Sequence, residues 1–96
     1  HNCLVGSEMC IRDRCLKACK IENLQVLNNY THQFHPQGVT CTITLAESHL
    51  CLHTWPEKGC VAFDIFTCGN KNPRMVAWWI LEHFDTEDYV MKDINR

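Results

Sequence analysis

The residues able to do chemistry crowd into one short stretch: Glu47, Ser48, His49, His53, Glu57, Asp64 and Cys68. Imidazoles titrate near neutral pH and can carry protons in either direction. A thiol gives up its proton not far above that range. His49 and His53 are an even number of positions apart, so on a strand they share one face. Asp64 is a charge amid apolar neighbours, and Cys68 follows at the end of the same pattern and on the same face. Glu57 falls in a turn. Taken singly, each has an ordinary role: a half-exposed strand histidine, a solvated turn carboxylate, an inert cysteine. Spacing alone leaves catalysis the minority reading. The chain has no phosphate loop, no GxGxxG and no HExxH.

These residues need elements to hold them. Residues 15 to 22 favour helix, with Leu16, Ala18 and Cys19 on one side and Asn23 as a stop. Leu24, Val26, Tyr30, His32 and Phe34 fall on even positions, which predicts a strand interrupted at Asn28-Asn29. His35-Pro36-Gln37-Gly38 is a turn. Val39, Cys41, Ile43 and Leu45 then alternate with three threonines, the clearest strand in the chain. Leu50 and Leu52 alternate against Cys51 and His53, followed by a turn at 55–59 in which Trp55 and Pro56 read as turn and packing residues. Val61, Phe63 and Ile65 face one way, and Ala62, Asp64, Phe66 and Cys68 the other, with Gly69-Asn70-Lys71 closing the strand. Asn72-Pro73 is a helix start, and Val76, Trp79, Ile80 and Phe84 recur at helical spacing. Residues 88 to 94 form a weak last strand. The expected fold is α+β: an antiparallel sheet with two helices packed on one face, an αβ sandwich.

Composition limits the setting. The 96 residues are 46% hydrophobic and 21% charged, a single domain by size. The longest apolar run, 75–81, is too short for a membrane span. A net charge of -2 offers nucleic acid no attraction. Glu8, Arg12, Asp13 and Arg14 break any signal-peptide core. The eight cysteines fit a disulfide scaffold, a zinc site, or small buried hydrophobes. With no export signal, no CxxC and no HxxxH beside the first four cysteines, the third is favoured, and the expected location is cytoplasmic.

The run Leu45-Ala46-Glu47-Ser48-His49-Leu50-Cys51-Leu52-His53-Thr54-Trp55-Pro56-Glu57, followed by Asp64-Ile65-Phe66-Thr67-Cys68-Gly69, resembles the prokaryotic S-adenosylmethionine decarboxylase proenzyme family. His32 to Thr40 carries the likeness upstream, and it spans roughly residues 15 to 96. The resemblance implies self-cleavage at Glu47-Ser48: the Ser48 hydroxyl attacks the Glu47 carbonyl, and β-elimination and hydrolysis leave a pyruvoyl group derived from Ser48. That group forms a Schiff base with the substrate amine and takes the place of a larger cofactor, with no metal. By the same resemblance His53 assists processing, Thr40 supports it where relatives often carry serine, and Cys68 is the proton donor. Phe34 would stack on adenine, and Glu57 would accept hydrogen bonds from ribose. The implied product is the aminopropyl donor for spermidine synthesis. The implied assembly is a homodimer of cleaved protomers, with active sites built from both chains. Two other readings stay open: the same pyruvoyl chemistry on arginine or ornithine, and an inactive chain that is never processed. Phe34 and Glu57, suited to a nucleoside, favour S-adenosylmethionine.

The start departs from the family pattern. Members open with a strand of the type GxHxxxDL and a longer first helix. Residues 1 to 14 hold no such strand, and Val5 to Arg14 looks like translated sequencing-library adapter. The expectation is a non-native leader over 1–14 and one decarboxylase-like domain over 15–96, with the family's N-terminal strand missing. The end is also short by family standards. Cys41 and Cys60, often glycine and aromatic in relatives, read as tolerated core changes.

Overall fold

A computed structural model describes residues 8–68, 71–84 and 88–94. Residues 1–7 of the leader-like segment and the strand-closing Gly69-Asn70 lie outside them. The elements run α1 (Glu8–Ile21), β1 (Val26–Gln33), β2 (Val39–Leu45), β3 (Ser48–Trp55), a 3₁₀ turn (Pro56–Lys58), β4 (Cys60–Phe66) and α2 (Pro73–Phe84). The four strands pair antiparallel in chain order, and both helices lie on one side. This is the expected α+β sandwich.

Alternation decides which side is dry. Val39, Cys41, Ile43 and Leu45 of β2 and Leu50 and Leu52 of β3 are all buried beneath the helices. Burying each leucine removes its side chain from water, worth about 1.5–3 kcal/mol. From the helices come Ile11, Cys15, Ala18, Cys19, Val76 and Ile80. The opposite face carries Thr40, Thr42 and Thr44, then His49, Cys51 and His53, then Ala62, Asp64 and Phe66, in register across β2, β3 and β4. No described element covers that face.

Helix α1 begins at Glu8, not at residue 15, so the packed domain takes in residues 8–14 of the leader-like segment. Ile11 is only 1% exposed and extends the stripe of Cys15, Ala18 and Cys19 by one turn. Arg14 Nε donates to the Trp79 carbonyl at 2.8 Å, and its guanidinium lies over the Trp79 ring, joining α1 to α2. The Glu8 N–H, in the first turn of the described helix, donates to Gln33 Oε1 at 3.1 Å. At the far end Asn23 takes the left-handed conformation that stops the helix. For α2, Asn72 Oδ1 accepts from the Arg74 N–H at 3.0 Å, the expected cap.

Two expectations change. Strand β1 does not keep one face along its length. A bulge between Val26 and Asn28 inserts a residue, so Val26 pairs with buried Leu45, whereas Tyr30 and His32 pair with Thr42 and Thr40 of the open face. The last segment, 88–94, is not a strand. It runs beside α2 instead, where Arg74 binds Asp93 at 2.6 Å and Tyr89 meets the Trp78 ring edge-on at 5.8 Å. With Val90 88% exposed it buries too little to form a strand of its own.

The cysteines divide. Cys15, Cys19 and Cys41 are buried core residues, Cys51 is half-buried, and Cys60 and Cys68 are exposed. Cys60 is therefore no core substitution. Cys10 is disulfide-bonded. Donating to Cys41 and being buried both push the Cys15 thiol far above its usual range. Burial pushes Cys19 up to about 11.

Candidate active site

Strands β2 and β3 form a hairpin that presents its chemistry at both ends. Ala46 and Glu47 make the tip, and Ser48 opens β3 opposite Leu45. The Ala46 N–H donates to the Gln25 carbonyl at 3.0 Å, fastening the tip to the chain ahead of β1. Glu47 is exposed and Ser48 half-buried. Cys68 lies two residues beyond β4, whose Phe66 pairs with His49, so the thiol is at this same end. His49 Nε2 stands 3.8 Å from Asp64 Oδ2, which answers what the strand carboxylate faces.

The other end holds a cavity of about 290 Å³ lined by Phe34, Gln37, Gly38, Thr40, His53, Thr54, Trp55 and Glu57. Register explains the meeting of Thr40 and His53, which are direct cross-strand partners on the open face. Thr40 Oγ1 lies 2.9 Å from His53 Nδ1. When Nδ1 carries the proton it donates to the hydroxyl, and the Nε2 lone pair is then available as a base. No described residue hydrogen-bonds Nε2. The 3₁₀ turn carries Glu57 to the rim. The 34–38 turn brings Phe34, whose ring meets His32 edge-on at 4.5 Å.

That turn is braced from within. The Phe34 N–H donates to the Gly38 carbonyl at 2.8 Å, and Gln33 Nε2 donates to the same oxygen at 3.0 Å. Gly38 has φ +107, and a Cβ there would sit 3.2 Å from the Thr54 carbonyl oxygen, so glycine is required on both counts. Thr54 is buried, with its Oγ1 accepting from the Val39 N–H at 2.9 Å.

Of the residues singled out from the sequence, Phe34, Thr40, His53 and Glu57 therefore share one cavity. Glu47, Ser48 and Cys68 do not reach it. From Ser48 to His53 is five steps along β3, roughly 17 Å at strand spacing. Trp55, read as a packing residue, is instead 38% exposed and lines the cavity, its ring 6.0 Å from that of His53. Strand parity carried the signal, since 53 and 55 share a face. Gln37, Gly38 and Thr54 were also unforeseen as lining. Among the described residues no group of three or more His, Cys, Asp or Glu is arranged to hold a metal.

Known proteins resemble this chain in sequence and in shape. The sequence profile described as S-adenosylmethionine decarboxylase matches residues 2–96. The S-adenosylmethionine decarboxylase proenzyme of Thermococcus kodakarensis is 40% identical over 94 residues, covering 97% of this chain and 66% of the relative. The chain thus spans about two thirds of that relative's length. The proenzyme of the same name from Prochlorococcus marinus is 41% identical over 93 residues, covering 96% of this chain and 76% of the relative. Among solved structures, the adenosylmethionine decarboxylase of Aquifex aeolicus superposes with a TM-score of 0.79 at 27% identity, covering 96% of this chain and 84% of that one. The motif run through Ser48 and His53, the helix-backed four-stranded sheet and these matches agree, and the chain belongs to the S-adenosylmethionine decarboxylase family.

Proposed function

We propose that this chain cleaves itself between Glu47 and Ser48 and, as a pair of cleaved copies, decarboxylates S-adenosylmethionine to the aminopropyl donor for spermidine synthesis. One observation carries the reading. The Thr40–His53 pair and its cavity stand at one end of an uncovered sheet face, and Ser48 with Cys68 at the other. A base roughly 17 Å away cannot serve its own chain's serine. Two copies meeting face to face with ends reversed bring the His53 of one copy to the Ser48 of the other.

The steps follow from the groups. The Ser48 hydroxyl attacks the Glu47 carbonyl and the amide becomes an ester. His53 Nε2 takes the Ser48 α-proton, and elimination releases the Glu47 carboxylate and leaves dehydroalanine at residue 48. Addition of water then releases ammonia. When the Thr40 hydroxyl accepts from Nδ1–H, Nε2 is left unprotonated for this step. A serine at position 48, at the start of a strand and beside a tethered tip, fits the origin of a pyruvoyl group. When present, that group supplies an electron sink for the pair left by the departing carboxylate. Cys68, exposed at the same end, has the thiol to return a proton to the substrate carbon.

The cavity supports the choice of substrate. Phe34 offers a flat apolar face for a purine and attraction for a sulfonium. Glu57 offers a carboxylate to accept from ribose hydroxyls. Arginine and ornithine carry neither a purine to stack on Phe34 nor ribose hydroxyls to bond Glu57. Intact mass after expression tests the reading. Two fragments divided at 47/48 are expected from the unaltered chain, and one uncut chain from Ser48→Ala. Carbon dioxide released from S-adenosylmethionine, and not from arginine or ornithine, is the expected activity. An unaltered chain that stays whole contradicts the reading.

A further inference from the structure

Trp55 has no hydrogen bond to its indole among the described residues. It ends β3, is 38% exposed, and has only Cys60 as its cross-strand partner. Gly38, without a side chain, lines the cavity beside it. Small neighbours leave the large ring free to lie along the strand face, where it meets the His53 imidazole at 6.0 Å and 38°. On the other side His53 is held at Nδ1 by Thr40. One hydrogen bond fixes a point on the ring and leaves its tilt soft, because rotation about the last histidine torsion is broad. A flat ring two residues along the same face, tilted 38° with its centroid 6.0 Å away, stands where it can limit that freedom.

We propose that Trp55 is a positioning residue for self-cleavage: its indole holds the His53 imidazole against Thr40, with Nε2 turned outward to serve the opposite copy. This rests on the function proposed above and assigns the orientation of its base to one side chain. Proton abstraction is sensitive to such placement, and a misplacement of about 1 Å can cost on the order of a hundredfold in rate.

Trp55→Ala, Trp55→Leu and Trp55→Phe in the full chain test it. Leucine keeps bulk without a flat ring, and phenylalanine keeps the flat ring. Self-cleavage is expected to slow by about tenfold to a hundredfold in the alanine and leucine variants and to recover with phenylalanine. In the mature enzyme KM should change by less than the cleavage rate. The second readout is the His53 tautomer by ¹⁵N NMR, in a Ser48→Ala background that stays uncut. The Nδ1-protonated form should dominate, average with the other form when Trp55→Ala or Trp55→Leu is added, and return with Trp55→Phe. Wild-type cleavage rates with an unchanged tautomer overturn the inference. So does a change confined to KM, which makes Trp55 a substrate wall only. Failure of the unaltered chain to cut itself defeats the function proposed above, while the tautomer comparison still decides whether Trp55 holds the His53 imidazole.

Discussion

The two ends of the β2–β3 hairpin differ in what they can do alone. The pocket end is assembled: Phe34, Thr40, His53, Trp55 and Glu57 meet within one copy, braced by Gln33, Gly38 and buried Thr54. The tip end holds the Glu47–Ser48 bond proposed to be cut and an exposed thiol, and no described base stands there with a hydroxyl orienting it. One end has the hydroxyl-paired base without the bond, and the other has the bond beside His49, whose Nε2 faces Asp64 instead of a hydroxyl. A strand of eight residues is long enough to keep the two apart, and the proposed pairing uses the open sheet face to join them.

That contrast can be broken first at His53. His53→Ala should slow self-cleavage by about 10²–10⁴-fold, the usual worth of a positioned general base, with the sheet intact by circular dichroism. Cleavage at the normal rate would mean that the tip end suffices alone. Thr40→Val should cost less, about tenfold, because it removes one hydrogen bond of about 1.4 kcal/mol and leaves the imidazole in place. Thr40→Ser should restore the rate.

Alkylation separates what lies under the helices from what lies at the ends. Cys60 and Cys68, one at each end of β4's side of the sheet, should react promptly with iodoacetamide in the native protein. Cys15, Cys19 and Cys41 should react only on unfolding, and peptide mass mapping reads the order. Prompt modification of Cys15 would mean that α1 does not stay seated.

The smallest effect concerns His83 on α2, away from both ends. Burial, and then the Arg14 charge, hold its imidazole below the ordinary value of 6.5. The folded state therefore binds fewer protons than the unfolded state, so stability is full above the unfolded value and falls as pH drops through it. Melting temperature should decline between about pH 7 and pH 5.5, and His83→Gln should flatten that decline without altering self-cleavage. An unchanged slope would remove His83 from the account.

Much of this was legible in the residues, for physical reasons. A strand with one dry face must alternate, and 39–45, 50–53 and 61–66 do. Helix α2 announces itself through Asn72-Pro73 and its apolar spacing. The facing of β1 was not legible, because the bulge at Leu27 is set by pairing with β2 and leaves no mark in the alternation itself. The start of α1 was hidden because, of Met9, Cys10 and Ile11, only Ile11 joins the buried stripe, and its burial depends on the sheet beneath it. Residues 88–94 carry apolar side chains but meet α2 rather than a strand edge. At the site, resemblance pointed to each residue singly. Their division between two ends needed the register, which converts five positions of sequence into a length of strand.

Mixing two defective chains tests the shared site most directly. Co-expressed Ser48→Ala and His53→Ala chains, distinguished by mass, each lack one half. The account predicts that the His53→Ala chain is cut at 47/48, its Ser48 served by His53 of the Ser48→Ala partner, although neither variant expressed alone is cut at an appreciable rate. If both chains stay whole when co-expressed as a mixed dimer, the bond and its base do not meet across two copies.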